Sequence, residues 1–228
     1  MLEKTTLSDA AYQYLKQLIL NFDLQPGQQI PVTKIAQTLG ISGTPVREAL
    51  HRLIKEGLVE QKPYVGYFVR CLSVADVAEL FDLRTLLECF ALERVFANGG
   101  FRDVVLQLLS DLDNIEKHGY PVDKTRTFDI DFHIKFLLYR AGGQWLTKIV
   151  HNILDLIALT TRMSQNPRAA CREHRAILEA IAEGNTEKAM TALRAHLNRA
   201  KAETISLLGK EVIERDEQFS LESKAQSN

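Results

Sequence analysis

Four side chains in the second half of the chain have the types and spacing of a metal site. Asp129 and His133 stand one helical turn apart in Thr127-Phe128-Asp129-Ile130-Asp131-Phe132-His133, and residues at i and i+4 share a helix face and can hold one ion between them. His174 lies 10 residues before Gly184, and His196 lies 11 after Asn185. Antiparallel helices joined at that turn would carry the two imidazoles at nearly equal height. One carboxylate and three imidazoles suit a divalent first-row transition metal; Zn²⁺ is the first choice, with Ni²⁺ or another such ion also compatible. The competing reading of each histidine alone is a hydrogen-bonded core residue. Asp131 faces away from Asp129 and reads as solvated, while His118 and His151 have no partner at ligand spacing.

These residues need helices to hold them. From Ser73 onward apolar residues recur at i, i+3 and i+4, with almost no strand signal. The pattern predicts helices over about 73–98, 101–117, 124–141, 144–164, 168–183 and 186–212. Gly99-Gly100, Gly119-Tyr120-Pro121, Gly142-Gly143, Asn166-Pro167 and Gly184-Asn185 separate them. Such a set folds as an antiparallel bundle around one core. A polar tail over 213–228 is expected to be disordered.

The first 72 residues read differently. Val46, Ala49, Leu50 and Leu53 form a buried stripe, and Arg47, His51, Arg52 and Lys55 fall off it. Ser42 or Thr44 can cap this helix, Pro45 suits its first turn, and Gly57 stops it. A short helix with an apolar back and a basic front fits a DNA major groove. Val32, Ile35, Ala36 and Leu39 predict a helix just before it, across a tight Gly40-Ile41-Ser42-Gly43 turn. A further helix spans about Ser8–Phe22. Leu58-Val59-Glu60 and Tyr67-Phe68-Val69 around Pro63-Tyr64-Val65-Gly66 read as a hairpin. The expected architecture is mainly α: a winged helix-turn-helix over 1–72 and an all-α antiparallel bundle over 73–212.

Composition narrows the function class. Hydrophobic residues make up 46% and charged residues 25% of the 228, as in ordinary globular proteins. No run suits a membrane span, the N-terminus lacks a signal-peptide core, and Cys71, Cys89 and Cys171 form no CxxC pair. A cytoplasmic protein with no membrane partner is expected. Net charge is −1 overall, but residues 1–72 carry +2 and the remainder −3. Positive charge thus coincides with the helix-turn-helix, as phosphate binding requires. The margin is small, so a homodimer on a palindromic double-stranded DNA operator is expected.

Leu24-x-Pro26-Gly27-x-x-Ile30, Ile35-Ala36-x-x-Leu39-Gly40-Ile41-Ser42 and Thr44-Pro45-Val46-Arg47-Glu48-Ala49-Leu50 resemble the DNA-binding domain of GntR-family bacterial transcription regulators. The resemblance implies that Arg47 touches DNA, with Ser42 and Thr44 near the backbone and Gly66 at the wing tip; His51 and Arg52 stand in support. Gly43 and Thr33 occupy DNA-facing positions where the family usually has arginine, which implies an altered site preference or weaker binding. Residues 74–212 resemble the FCD effector-binding domain of the FadR-type subfamily. That resemblance implies a metal held by Asp129, His133, His174 and His196, with a small carboxylate effector completing the coordination. It also implies that Arg84 pairs with the effector carboxylate; the alternative is a salt bridge from Arg84 to Glu88, at i+4 on the same helix. The function implied is a metabolic-operon regulator, with a repressor expected. A metal-responsive sensor is the first alternative and a metal-dependent hydrolase the second.

Overall fold

The computed structural model describes residues 6–160 and 166–225, with side chains as far as residue 209. The described chain is mostly helical, with one two-stranded sheet. It divides into two compact units, Met1–Ser73 with Asp155–Arg162 and Val74–Leu154 with Met163–Asn228. Each is described by itself.

The first unit is a winged helix-turn-helix. Helix α1 (Leu7–Leu20) starts at a capping box in which the Thr6 hydroxyl accepts from the Asp9 N–H and the Asp9 carboxylate accepts from the Thr6 N–H. Helix α2 (Val32–Leu39) ends at Gly40, whose φ of +64° is the left-handed conformation that a tight turn into the next helix needs. Helix α3 (Gly43–Lys55) buries Val46, Ala49, Leu50 and Leu53, the stripe read from its periodicity. Ser42 occupies its N-cap with extended backbone, but its hydroxyl makes no capping bond, which corrects the expectation for that side chain. Strands β1 (Val59–Lys62) and β2 (Gly66–Val69) pair antiparallel, Val59 opposite Val69. Backbone bonds from Gly27 to Val69 and from Ile30 to Tyr67 attach the preceding loop to β2.

One part of this core comes from far along the chain. Leu159 is buried with Leu15, Leu53, Leu58 and Val69, and Leu156 packs against the same cluster. Asp155 pairs with Lys16 at 2.7 Å, and Lys16 also reaches Glu56 at 3.1 Å. Burial pulls the Lys16 ammonium down, but its bonds to Asp155, Tyr12 and Glu56 outweigh that and hold it above its usual range. Residues 155–160 were expected to serve only the bundle. Because removing a buried leucine costs about 2–5 kcal/mol, Leu159→Ala should lower the stability of the winged-helix unit by that order. Denaturant unfolding followed by a probe in α1–α3 checks this, and an unchanged midpoint would deny Leu159 a core role.

The second unit is the helical bundle. Helices α4 (Val74–Asn98), α5 (Arg102–Lys117), α6 (Val122–Ile130), α7 (Tyr139–Ala141), α8 (Gln144–Ala158), α9 (Pro167–Ala182) and α10 (Thr186–Ala225) follow the expected order. Of α8, residues through Leu154 belong to this unit. Leu92, Val105, Phe132, Leu137, Ile177, Ile181, Leu193 and Leu197 lie in its core. Three boundaries differ from the sequence reading. The helix expected over 144–164 ends at Ala158, and residues 161–165 lie outside the described residues. The single helix expected over 124–141 is interrupted by a π-helical stretch, Asp131–Leu138. There Phe132, His133, Phe136, Leu137 and Leu138 are all buried, a wider inward face than a regular i, i+3, i+4 stripe supplies. Helix α10 continues past 212 to Ala225 through a segment free of proline, so its backbone covers most of the expected polar tail; residues 226–228 lie outside the described residues.

Candidate metal centre and nucleic-acid interface

Asp129 near the end of α6, His133 in the π stretch, His174 on α9 and His196 on α10 place one ligand atom each within 4.8 Å of one another. The Nε2 atom of His133 is 3.1 Å from Nε2 of His174 and 3.3 Å from Nε2 of His196. Asp129 Oδ1 lies 3.7 Å from Nε2 of His133 and 3.6 Å from Nε2 of His174. The three imidazoles are buried, whereas the Asp129 side chain is 53% exposed. Phe132 packs on the rings of His133 and His174, with centroids 4.8 and 4.7 Å away. The result is a closed floor of imidazoles with one carboxylate facing solvent.

The far nitrogens explain how the rings are held. Nδ1 of His133 is 2.6 Å from Glu88 Oε2, and Glu88 Oε1 accepts from Arg84 Nε at 2.6 Å. Nδ1 of His196 is 2.8 Å from Glu173 Oε2, and Glu173 Oε1 accepts from Arg199 Nε at 2.5 Å. An ionised carboxylate only accepts, so each of these Nδ1 atoms carries a proton, and in the neutral ring the opposing Nε2 then carries a lone pair. Burial raises the Glu88 carboxyl, but Arg84 and His133 beside it outweigh burial and bring it down from 4.5 to about 2. Burial likewise raises Glu173, and its bonds to His196 and Arg199 more than reverse this. Burial first, then the neighbouring imidazoles, push His174 well below its usual range; burial also lowers His196. Both therefore stay neutral at physiological pH and keep lone pairs to offer.

In the neutral rings the Nε2 atoms of His133 and His196 would turn lone pairs towards each other across 3.3 Å. Two acceptors at that distance repel unless a cation lies between them. Metal–nitrogen bonds of about 2.0–2.1 Å hold ligand nitrogens at such separations. The donor set therefore fits a divalent metal ion.

Arg84 and Glu88 form the ion pair weighed as an alternative for Arg84, and both are buried. Sequence reasoning passed over Glu88, Glu173 and Arg199 as members of the site. Glu88 had a signal in its i+4 spacing from Arg84. Glu173 had none, because it adjoins His174 in sequence while its carboxylate serves His196 on the next helix. His118 is engaged with the Asn114 carbonyl at the end of α5, and Asp131 pairs with Lys135.

In the first unit, Thr33 on α2 and Ser42, Thr44, Arg47, His51 and Arg52 around α3 are all exposed. The Arg47 guanidinium folds towards the start of its helix, and a Cβ at Gly43 would stand 3.2 Å from its Nη1. Glycine at 43 therefore gives Arg47 room that a side chain there would take. His51 meets the wing residue Tyr67 edge-on, at 6.0 Å between ring centroids. Arg52 is turned onto α1: its Nη1 bonds Asp9 at 2.7 Å, and its guanidinium lies over the Tyr12 ring. It clamps α1 to α3. At the wing tip, Gly66 has φ +140°, and a Cβ there would lie 3.0 Å from the Gln29 amide that donates to the Val65 carbonyl. Gln29, unremarked in the sequence, thus braces the wing, and Tyr64 at its tip is fully exposed.

A two-helix reading unit with a β wing, followed by a helical bundle with a polar centre, defines a winged-helix regulator. Comparison with known proteins agrees. Residues 7–69 match the model for bacterial regulatory proteins of the gntR family, and residues 79–199 match the FCD domain. An uncharacterized HTH-type transcriptional regulator in an unstable DNA locus of Streptomyces ambofaciens is 34% identical over 196 residues, 82% of this chain and 80% of that protein. The HTH-type transcriptional regulator YdhC of Bacillus subtilis (strain 168) is 29% identical over 194 residues, 82% of this chain and 86% of that protein. The structure of E. coli McbR/YncC superimposes with a TM-score of 0.71 at 20% identity, covering 91% of this chain and 99% of that one. The chain belongs to the GntR family of DNA-binding transcription regulators, in the branch that carries an FCD domain. It is a regulator and not an enzyme, and no described helix is long and apolar enough to cross a membrane.

Proposed function

We propose that this protein is a repressor that binds a palindromic operator as a homodimer and responds to a small carboxylate held at a metal in its bundle. The observation that carries the reading is the convergence of three Nε2 atoms and one exposed carboxylate on a single point. Asp129, His133, His174 and His196 would hold the ion, Zn²⁺ first and Ni²⁺ or another divalent metal as alternatives. A bound ion would supply a Lewis-acid centre for a carboxylate oxygen, and the exposed Asp129 lies on the side open to solvent. Arg84 spends Nε on Glu88, one of five guanidinium N–H donors; the others are those that would pair with the effector.

On the DNA side, Arg47 is the base-reading residue of the proposal. Thr33, Ser42, Gly43, Thr44 and His51 line its approach, and Gly66 shapes the wing. Arg52 acts through its clamp on α1. Effector binding shifts the balance between DNA-binding and released arrangements by as much as its affinities for the two differ.

Footprinting with purified protein on its own upstream DNA tests the whole reading. Protection of a short palindrome that weakens with a small carboxylic acid only when metal is bound is the expected result. Protection that follows metal concentration alone would favour the sensor, and no sequence-specific protection would overturn the proposal.

A further inference from the structure

The two carboxylates behind the imidazoles repeat one arrangement atom for atom. Arg84 Nε donates to Glu88 Oε1 while Glu88 Oε2 accepts from His133 Nδ1; Arg199 Nε donates to Glu173 Oε1 while Glu173 Oε2 accepts from His196 Nδ1. The two copies come from different helices, α4 for the first and α9 with α10 for the second. No local sequence rule makes both. The His174 ring, in contrast, is set by packing on Phe128 and Phe132, with ring centroids 5.5 and 4.7 Å away.

Stability alone is a weak reason for such pairs. Glu88 is completely buried and its partner Arg84 nearly so. Taking a carboxylate and a guanidinium out of water costs several kcal/mol per ion, and well-packed apolar residues in their place are often as stable or more so. What an apolar residue cannot do is fix a tautomer. A neutral imidazole carries its proton on either nitrogen, and only the form protonated at Nδ1 points a lone pair into this centre.

We propose that Glu88 and Glu173 are positioning residues of the metal centre, each accepting the Nδ1 proton of one histidine so that His133 and His196 both present Nε2 lone pairs to the ion, and that Arg84 and Arg199 hold those carboxylates in place. The inference rests on the metal-centre reading given above. It assigns Arg84 a task that operates whether or not an effector is present. It also orders the two arms: Glu88 is sealed from solvent, whereas the Glu173 side chain is 27% exposed, so water can partly replace Glu173 but not Glu88.

Loss of such a partner typically weakens metal binding about 10- to 100-fold. The test uses the full-length protein, stripped with a chelator and titrated with Zn²⁺ against a competing indicator. Glu88→Ala should fall near the upper end of that range and Glu173→Ala near the lower. Glu88→Gln should keep most of the affinity, because its amide oxygen still accepts from Nδ1–H. ¹⁵N NMR of the metal-free imidazoles supplies a readout that mere destabilisation would not move. Wild type should show protonated Nδ1 at His133 and His196, and Glu173→Ala should mix the tautomers at His196 alone. Glu88→Gln and Glu173→Ala keep the test decisive should Glu88→Ala fail to fold. Folded alanine variants that bind Zn²⁺ with wild-type affinity, or that keep the wild-type tautomers, would overturn the proposal. A wild-type protein that binds neither Zn²⁺ nor Ni²⁺ nor another first-row divalent ion would instead overturn the metal-centre reading, and the tautomers would still decide the positioning role.

Discussion

His174→Ala should weaken Zn²⁺ binding by about 100-fold or more and abolish the metal's effect on thermal stability. The magnitude follows from a comparison: loss of an outer partner of a ligand already costs about 10- to 100-fold, and in the proposed centre His174 is itself a ligand, its Nε2 lying 3.1 Å from that of His133. A ligand at 100 times its dissociation constant stabilises the native state by about 2.7 kcal/mol. For a chain of this size that raises the midpoint by about 5–11 °C. The variant should lose the whole increment. In the metal-free protein the change should be smaller, because the substitution leaves a cavity but also removes one of three crowded imidazole nitrogens. Melting curves of both proteins, with and without Zn²⁺, check this. An equal metal-dependent rise in the two would show that the ion binds elsewhere. Operator affinity without effector should survive in the variant, since α3 and the wing lie in the other unit, and this separates lost sensing from lost DNA contact.

Arg47→Ala should weaken operator binding by about 1–3 kcal/mol, which is about 5- to 150-fold, and relax selectivity at one base pair in each half-site. Thr33 and Gly43 carry no charge, and Arg52 is bound to Asp9 and Tyr12. Gly43→Ala sharpens the test. Its new Cβ would come within 3.2 Å of Arg47 Nη1, so the guanidinium must move while the charge is kept. A loss of selectivity in Gly43→Ala with little change in the salt dependence of binding would assign Arg47 to a base edge. A uniform loss across all sequences for Arg47→Ala, with a shallower salt slope, would assign it to a phosphate instead and refute the base-reading role.

The winged-helix unit was legible because its signals are local. The stripe Val46, Ala49, Leu50 and Leu53, the left-handed Gly40 turn and the hairpin around Pro63–Gly66 each depend on residues within a few positions of one another. The bundle's helices were legible for the same reason, through glycine and proline at their ends. The clustering of Asp129, His133, His174 and His196 was legible too, because helical periodicity carries Asp129 to His133 and a short turn mirrors His174 onto His196. Other features had no local trace. Leu159 joins the core of the winged-helix unit from far downstream, and periodicity in α8 cannot say which core its end will enter. The π stretch at Asp131–Leu138 depends on what packs against it. Arg52 read as part of a basic front, yet Asp9 and Tyr12 on α1 claim it.

By itself the sequence determined the class of protein, the order of its helices, the reading helix and the identity of the four side chains that can share an ion. These follow from spacing along one helix or across one turn, where geometry is set by the backbone. Only the tertiary structure decided which ring nitrogens face one another at the centre of the cluster and which face carboxylates. That choice rests on Glu88 reaching His133 across 45 residues and Glu173 reaching His196 across 23. A tautomer is set by the hydrogen-bond partner at the far side of the ring, and that partner arrives only when helices distant in sequence pack together.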